Sequence, residues 1–295
     1  MSVLSPTVDC VADAKALVAE CPIWCEREQA LYWADIYRCQ LNRYDPATGR
    51  NRFWPLPAPL GSFALRQAGG VLLAMNTGLH FFDLETGAIE PLVDPEADIP
   101  DTRLNDGKCD RAGNFWVGSM KDPIEPMRAS SAIYRFSADR RIEKKIPGRI
   151  VSNGIAFSPD NKLMYHAETH RSVRSVFVSD HDPADGTLRN TRVFVDTSGM
   201  QGRPDGAAID AEGCYWMAGI DGGALLRFTP AGTLEMTVKL PFEWPTMPAF
   251  GGSDLDTIYV TTLRRPNADP ADLDGGVFAL RVPGVKGLPE PKFAG

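Results

Sequence analysis

Four oxygen-bearing side chains recur at the same distance from a turn along this 295-residue sequence. Each lies five residues before the first residue of a polar turn, and the four are Glu20, Asn105, Asn153 and Asp205. If one structural repeat places them around a common axis, two carboxylates come close together and repel each other unless a cation lies between them. No His or Cys stands at these positions. We therefore expect one divalent ion of the hard or borderline kind: Ca²⁺, Mg²⁺, Mn²⁺, Fe²⁺ or Zn²⁺.

Each of these residues taken alone has a simpler interpretation. Asn-Gly and Asp-Gly are common turn dipeptides, and the Asn-Gly pair at Asn153 by itself favours a plain turn. The coincidence of four polar residues at one offset favours a site. The same offset gives Gly61 and Met247 in two further repeats. The missing side chain of Gly61, together with polar Arg103 and Asn105, predicts an open, hydrophilic pocket suited to a polyol.

Six strand-rich repeats would bring these residues together. In each repeat a run of aromatic or aliphatic residues, such as "LYWADI" from Leu31 or "YWMAGI" from Tyr215, precedes a second run that usually ends in a Gly turn. The repeats span roughly 40–50 residues each, which is the period of propeller blades. No segment has the 3.6-residue periodicity of a long helix. A β-sandwich is the alternative, but six repeats are too many for one.

We therefore predict an all-β fold: a six-bladed β-propeller with four-stranded blades around a central metal-containing channel. Residues 1–295 are expected to form this propeller as a single domain. Residues 7–18, which precede the first repeat, are expected to supply the outer strand of the last blade and so close the ring.

Two repeats echo each other closely. Residues 103–116 read "RLNDGKCDRAGNFW" and residues 203–216 read "RPDGAAIDAEGCYW". Both begin with Arg, pass through Asp-Gly and an Asp-x-x-Gly turn, and end with an aromatic residue and Trp. The echo predicts equivalent positions for Asn105 and Asp205 in two blades, with the charge at Asp205 suited to a metal and the neutral amide at Asn105 suited to substrate.

The composition limits the partners. A net charge of −7 argues against nucleic acid or an anionic membrane as a partner. The N-terminal residues lack the pattern of a secretory signal, and no apolar run is long enough to span a membrane. The six cysteines follow no zinc or redox spacing and are expected to be reduced. A cytoplasmic protein, monomeric or weakly dimeric, is expected.

Five phrases of the sequence resemble the regucalcin/gluconolactonase group, which includes senescence-marker protein, gluconolactonase and luciferin-regenerating enzyme. They run in the group's order from about Glu20 to Phe278 and are "LVAECPIW", "RLNDGKCD", "SNGIAFSPDNKLMY", "RPDGAAIDAEGCYW" and "AFGGSDLDTIYVTT". The resemblance implies a six-bladed propeller that hydrolyses a sugar (aldono-) lactone to the aldonic acid, a carboxylic-ester hydrolase of carbohydrate metabolism.

The resemblance also implies the roles of individual residues. Glu20, Asn153 and Asp205 would hold the metal, and Arg103 and Asn105 would bind substrate, with Asp106 in or near the site. Asp205 has a second carboxylate oxygen, so it is expected to act as general base on the attacking water. Arg103 is expected to stabilise the oxyanion that develops on the substrate.

Two other functions stay open at this point. The same scaffold could hydrolyse other esters or phosphotriesters, or it could be a non-enzymatic propeller that binds calcium. The group's pattern is also not matched everywhere, because Ala19 and Cys21 replace the small residues that flank the opening Glu. Mouth loops at residues 121–130 and 264–274 are expected to select the sugar.

One motif is set aside. "HAETH" places His166 and His170 around Glu168, but the Glu has the wrong offset for the zinc motif H-E-x-x-H. The segment is also expected to be a strand followed by a turn, with His170 near the channel mouth, and metal binding by this pair is not expected.

Overall fold

Every regular element in the described part of the chain is a β-strand. The computed structural model describes residues 1–265, 267–269 and 272–295. In chain order the strands are β1 Ser2–Leu4, β2 Val8–Ala12, β3 Ala19–Cys25, β4 Ala30–Asp35, β5 Gln40–Asp45, β6 Arg50–Pro55, β7 Leu60–Leu65, β8 Val71–Met75, β9 Gly78–Phe82, β10 Ile89–Val93, β11 Thr102–Cys109, β12 Phe115–Lys121, β13 Ser131–Phe136, β14 Ile142–Arg149, β15 Ser152–Phe157, β16 Leu163–Glu168, β17 Ser175–Asp182, β18 Thr187–Asp196, β19 Arg203–Ile209, β20 Tyr215–Ile220, β21 Ala224–Phe228, β22 Leu234–Lys239, β23 Pro245–Gly251, β24 Thr257–Thr262 and β25 Val277–Arg281.

These strands form six antiparallel sheets, which confirms the predicted six-bladed propeller. Blades 1 to 4 are β3–β6, β7–β10, β11–β14 and β15–β18, each in simple sequential order. Blade 5 is β19–β22, and β1 adds a fifth strand parallel to β22, which the sequence did not indicate. Blade 6 is β23–β25 with β2 as its outer strand. The expected closure of the ring by the N-terminal segment is thus confirmed.

The first strand of each blade lines the central axis. Each inner strand contacts the inner strands of both neighbouring blades, and the contact between β23 and β3 completes the circle. Inner strands such as β3 and β15 are buried throughout, whereas outer strands such as β6 are mostly exposed. This gradient follows from radial packing, because neighbouring blades pack face to face near the axis and diverge toward the rim, where the outer strands meet solvent.

The echoed Asp-x-x-Gly turn and Trp have a structural role. In blade 3 the carboxylate of Asp110 accepts hydrogen bonds from two backbone N–H groups of its own turn and, at 3.0 Å, from the indole of Trp116. In blade 5 Asp210 does the same with Trp216 at 2.9 Å. Each Asp therefore fixes both the turn and a fully buried Trp on the second strand of its blade.

Gly61 does not leave room in the channel, contrary to the sequence expectation. A Cβ atom at Gly61 would lie 2.2 Å from the carbonyl oxygen of Leu104 in blade 3. The glycine is required because the inner strands of blades 2 and 3 approach closely there, and the neighbouring backbone fills the space of the missing side chain.

The C-terminal residues cross the propeller face opposite the channel mouth. Gly287 donates its N–H to Leu255 in blade 6, and Phe293 exchanges backbone hydrogen bonds with Leu65 and Gln67 of blade 2. Between these points Glu290 pairs with Lys108 of blade 3 at 3.2 Å. The segment connects blades on opposite sides of the ring and covers the far end of the channel.

Two further observations concern topology and thiols. No helix capable of crossing a bilayer occurs among the described residues. All six cysteines are unpaired thiols, in agreement with the expected reduced state.

Candidate active site

The three predicted metal ligands come from the inner strands of three blades. Glu20 lies at the start of β3 in blade 1, Asn153 at the start of β15 in blade 4, and Asp205 near the start of β19 in blade 5. All three are at most 9% exposed. Successive strands run in opposite directions in each blade, so all inner strands start at the same end of the channel. The three side chains therefore share one mouth.

Each inner strand carries a β-bulge at this level, and the bulges refine the predicted register. Glu20 and Asn153 occupy the last paired position before the bulge, opposite Ala34 and Ala167. Asn105 and Asp205 lie one residue further on, inside the bulge. Asn105 and Asp205 are thus equivalent, as the echo predicted, whereas the other two are displaced by one residue. Bulges reorient side chains without ending a strand, and they are common next to active sites.

A hydrogen-bond chain runs from Arg103 in blade 3 through blade 4 to blade 5, and so connects the blades that carry two of the three ligands, Asn153 and Asp205. Arg103 Nη1 donates to Asn105 Oδ1 at 2.7 Å, and Asn105 Nδ2 donates to Asn153 Oδ1 at 2.9 Å. Asn153 Nδ2 then donates to Thr169 Oγ1 at 2.8 Å, and Thr169 Oγ1 donates to the carbonyl of Pro204 at 2.6 Å. The nitrogen of each amide is therefore hydrogen-bonded to protein, which fixes the orientation of the amide and leaves one lone pair on each amide oxygen.

The carboxylates of the site oppose one another electrostatically. Burial and the negative charges of Asp205 and Asp106 raise the pKa of Glu20 well above its ordinary value. Burial and the charge of Asp106 raise the pKa of Asp205 to about 8, while Arg203 and Arg103 act in the opposite direction. A site with so much negative charge and so little compensation favours a bound cation.

The donor atoms suit a divalent cation. Asp205 accepts no hydrogen bond from any residue in the described part of the chain, and Glu20 accepts one through Oε2, from the N–H of Cys21 at 2.8 Å. Glu20 Oε1, the Asp205 carboxylate and the second lone pair of Asn153 Oδ1 remain as oxygen donors at one mouth. Oxygen donors of this kind are those that Ca²⁺, Mg²⁺ and Mn²⁺ prefer, and Zn²⁺ and Fe²⁺ also accept them.

Asp106 lies deeper than the other predicted site residues. Its Oδ2 accepts the N–H of Ile155 in blade 4 at 2.9 Å, and its Oδ1 is buried with no partner among the described residues. Burial raises its pKa. Because one oxygen is committed to backbone, Asp106 holds the Asn153 segment against blade 3 and adds charge beneath the ligands.

Two mouth residues beside Arg103 were not assigned from the sequence. Arg103 Nε donates to Asp122 Oδ2 at 3.0 Å, and its guanidinium lies 5.5 Å from the ring centre of Tyr37. The Tyr37 hydroxyl in turn donates to Asp122 Oδ2 at 3.0 Å. Tyr37 belongs to the turn between β4 and β5, and Asp122 directly follows β12. These contacts hold Arg103 at the mouth. No local sequence motif identifies Tyr37 as a residue of the site.

A second Arg–Asp pair repeats this arrangement in blade 5. Arg203 Nε donates to Asp221 Oδ2 at 2.6 Å. Asp122 follows Arg103 by 19 positions and Asp221 follows Arg203 by 18. This near-equal spacing within the two echoed repeats is the sequence signal that could have identified both aspartates.

The loops expected to select the sugar are only partly described. Residues 121–130 lie between β12 and β13 at the mouth, where His170 Nε2 comes within 3.8 Å of Glu125. Within 264–274, residues 266, 270 and 271 lie outside the described residues.

The two histidines of "HAETH" lie in different parts of the structure. His166 lies on β16, stacked at 5.3 Å on Phe177, and the burial that isolates it lowers its pKa to about 3. His170 lies in the following turn and is bonded to Ser172 at 2.7 Å. The predicted strand and turn are therefore confirmed, and the two rings belong to different environments.

A separate cluster of potential ligands is already neutralised by an arginine. The donor atoms of Asp210, Glu212 and Cys214 lie within 4.8 Å of one another. Arg227 Nε donates to Asp210 Oδ2 at 2.7 Å, and the same guanidinium pairs with Glu212. The guanidinium takes the place that a cation would need.

Cys21, next to Glu20, faces protein. Its thiol is buried and lies 3.7 Å from the carbonyl oxygen of Phe63, and burial raises its pKa. A thiol in this state does not compete with oxygen donors for a metal. Cys21 has a left-handed backbone, with φ of 50°, a conformation that favours glycine over a residue with a Cβ atom.

Known proteins resemble this chain over nearly its whole length. Residues 18–264 match the SMP-30/Gluconolactonase/LRE-like region family. The chain is 42% identical to a 6-deoxy-6-sulfogluconolactonase of Pseudomonas putida, over 99% of this chain and 100% of the relative. It is 37% identical to an L-arabinolactonase of Azospirillum brasilense, over 97% and 95%. The crystal structure of a calcium-binding protein, regucalcin, from Agrobacterium tumefaciens superposes with a TM-score of 0.92 at 28% identity, covering 99% of each chain.

Proposed function

Because the chain belongs to the SMP-30/gluconolactonase/LRE-like family, we propose that it hydrolyses a sugar lactone to the aldonic acid. The observation that carries the proposal is the convergence of Glu20, Asn153 and Asp205 with Arg103 at one channel mouth. Relatives named as sugar lactonases match nearly the whole chain. The activity is that of a carboxylic-ester hydrolase.

Glu20, Asn153 and Asp205 would hold one divalent cation, whose identity stays open among Ca²⁺, Zn²⁺, Mn²⁺, Fe²⁺ and Mg²⁺. When bound, such an ion polarises a carbonyl and lowers the pKa of a water molecule. The residues around it decide where the substrate lies and where protons go.

Asp205 is the proposed general base. Its carboxylate is free of protein hydrogen-bond donors among the described residues, so it can take a proton from the attacking water. As the water oxygen bonds to the lactone carbonyl carbon, the bond from that carbon to the ring oxygen breaks. The proton held on Asp205 then passes to the departing ring oxygen, which leaves a hydroxy acid.

Arg103 is the proposed partner of the substrate oxygens. Nε and Nη1 are held by Asp122 and Asn105, and Nη2 reaches the Tyr37 hydroxyl only at 3.5 Å. Nη2 is therefore the atom best able to donate to a carbonyl oxygen as it gains charge.

Asn105 and Asp106 have narrower proposed roles than the sequence suggested. Asn105 donates both amide hydrogens to protein acceptors, to Ser152 and Asn153, so one lone pair of Oδ1 remains for substrate. Asp106 acts through Asn153 and Asp205, as a positioning residue.

A panel of substrates distinguishes sugar-lactone hydrolysis from the two alternatives, a broader esterase and a calcium-binding protein. Freshly prepared pentono- and hexonolactones, an aryl ester and a phosphotriester would be assayed, each with and without a chelator. We expect chelator-sensitive hydrolysis that is fastest for a sugar lactone. Preference for the aryl ester or phosphotriester would identify a broader esterase, and calcium binding without turnover would identify a binding protein.

We also propose a cytoplasmic protein that acts as a monomer or weak dimer, without a nucleic-acid or membrane partner. The acidic composition supports the absence of a nucleic-acid or anionic-membrane partner. Light scattering across a concentration series tests the oligomeric state, and fractionation of cells tests the compartment.

A further inference from the structure

Arg203 lies at the channel mouth but has no part in the proposed hydrolysis. It is the first residue of β19, two positions before Asp205. Its Nε donates to Asp221 at 2.6 Å and its Nη1 reaches the carbonyl of Thr169 at 3.4 Å. The Arg203 side chain is 19% exposed and that of Asp221 31%, so a small solute can reach both.

The pair mirrors Arg103 and Asp122 on the other side of blade 4. Blade 4 supplies Asn153, and its Thr169 contacts both halves of the site. Arg103 projects from blade 3 and Arg203 from blade 5, each from the start of an inner strand. A substrate seated over Asn153 would therefore lie between two guanidinium groups.

Arg203 and Asp221 each retain an unused hydrogen-bonding atom. Arg203 Nη2 donates to no residue in the described ranges, and Asp221 Oδ1 is buried without a donor among those same residues. Because Asp221 Oδ1 is closed to solvent, the accessible acceptor of the pair is Oδ2, which has a second lone pair beside the hydrogen bond from Arg203 Nε. Arg203 Nη2 and Asp221 Oδ2 together offer one donor and one acceptor, which matches a hydroxyl group.

The charge balance selects between hydroxyl and anionic ligands. Asp221 neutralises Arg203 at 2.6 Å, so the pair presents hydrogen bonds with little net charge. A sulfonate or phosphate whose oxygen accepts a hydrogen bond from Arg203 Nη2 would also approach the Asp221 carboxylate. It would come near the Asp205 carboxylate as well, because Asp205 is two residues from Arg203. A neutral polyol meets no such repulsion.

We propose that Arg203 and Asp221 form a second substrate subsite, which binds a hydroxyl group of a neutral aldonolactone on the blade 5 side of the mouth. The inference rests on the proposed lactone hydrolysis and adds to it the substrate class: a lactone that keeps a free hydroxyl at the position facing blade 5. A lactone lacking that hydroxyl leaves the pair unsatisfied.

The test pairs side-chain changes with the removal of single substrate hydroxyls. D-glucono-1,5-lactone and its 2-, 3-, 4- and 6-deoxy analogues would be assayed with the wild type, Arg203→Met and Asp221→Asn. We expect one analogue to lose about 10-fold in kcat/KM with the wild type, mainly through KM, because one hydrogen-bonded pair is lost. With the parent lactone, kcat/KM of both variants should fall by a similar factor. Removing the hydroxyl to which the wild type is sensitive should then cause no further fall in kcat/KM of either variant.

A matched control is Arg192→Gln, since Arg192 forms a comparable pair with Asp180 at 3.1 Å on the exposed rim. It should keep the wild-type response to every analogue. Thermal melts followed by circular dichroism check that each variant is folded. If Arg203→Met does not fold, the conclusion is drawn from Asp221→Asn.

Three results would overturn the subsite. The first is that either variant stays as sensitive to every deoxy analogue as the wild type. The second is that, when 6-deoxy-6-sulfogluconolactone is added to the panel, the variants change the turnover of that substrate only, which would make Arg203 an anion-binding residue. A wild type inactive on all lactones would refute the proposed function itself, and the subsite with it.

Discussion

At the residue scale, the site is a set of buried carboxylates whose charges are not balanced by the protein. Glu20, Asp106 and Asp205 are each at most 9% exposed. Burial raises the pKa of all three carboxyl groups, and the charges of neighbouring carboxylates raise the pKa of Glu20 and Asp205 further. In the folded, metal-free protein these shifts favour the protonated forms of Glu20 and Asp205. A bound cation takes the place of those protons, so proton and metal binding compete.

This competition gives a pH dependence with a definite sign. The folded pKa of Asp205, about 8, lies above the value near 3.9 expected in the unfolded chain. Its contribution to stability is therefore fully present below about pH 4 and is lost as pH rises through about 8. We expect the melting temperature of metal-stripped protein to fall between about pH 4 and 8 and to level off above about pH 8, with about 2–4 °C for each kcal/mol lost.

Two controls test whether Asp205 causes this dependence of the melting temperature on pH. Asp205→Asn should flatten it, and a saturating divalent cation should abolish it in the wild type. An equally steep fall in Asp205→Asn, measured by differential scanning calorimetry, would show that the buried carboxylate is not responsible.

The sequence predicted those site residues whose side-chain type is required for the chemistry. Glu20, Asn153 and Asp205 were proposed from their types and their offset from a turn, and Arg103 from the family resemblance; the structure brings the four to one mouth. Tyr37 was not found, because its contact with Arg103 joins two blades and no local pattern marks it. Asp221 was missed although its spacing from Arg203 nearly repeats the spacing of Asp122 from Arg103. The free hydrogen-bonding capacity of Asn105 was overestimated, since its partners in blade 4 are distant in sequence.

At the element scale, the inner strands determine where the site residues lie. A β-bulge near the start of the strand reorients the side chains of blades 1, 3, 4 and 5. The sequence repeat predicted the strands, because alternation and turns repeat in every blade. It did not reveal the one-residue difference between blades, because the bulge depends on pairing with the second strand.

Gly61 is a sensitive point of this arrangement. Gly61→Ala would place a methyl group 2.2 Å from the Leu104 carbonyl oxygen, so the inner strands of blades 2 and 3 must separate. We expect a loss of about 1–3 kcal/mol in the free energy of unfolding, measured by urea denaturation. The same strand separation should also lower kcat, since Arg103 and Asn105 flank Leu104.

Gly199→Ala is the matched control. A Cβ atom at Gly199 would meet nothing within 4 Å, and its effect should stay within about 0.5 kcal/mol. Equal stabilities of the two variants would mean that blades 2 and 3 can shift apart without cost.

At the scale of the whole molecule, the ring is closed twice. The N-terminal strand β2 completes blade 6, and the C-terminal segment fastens blades 6, 3 and 2 together beneath the channel. We propose that residues 1–295 form one domain, which should unfold in a single cooperative transition. The sequence predicted the first closure from strand pattern, but it did not predict the second, because the last ten residues have no repeat pattern.

The closure of the ring by the C-terminal segment can be tested at Phe293. Its side chain is fully buried, stacked at 5.4 Å on Phe136 and lying 6.2 Å from Phe81. Phe293→Ala should cost about 3–5 kcal/mol of the free energy of unfolding, whereas Phe53→Ala, at a side chain 55% exposed, should cost little. A second transition in the Phe293→Ala melt, or no loss of stability, would contradict the proposed single unit.

The central claim is that Glu20, Asn153 and Asp205 hold the ion on which lactone hydrolysis depends. The most direct measurement titrates Ca²⁺, Mn²⁺ or Zn²⁺ into metal-stripped wild type and Asp205→Asn, recording bound ion and lactone hydrolysis in the same samples. We predict one bound ion per wild-type chain, with hydrolysis rising in proportion to occupancy, and neither tight binding nor turnover in Asp205→Asn. Full hydrolysis by the stripped wild type, or by Asp205→Asn, would contradict the account.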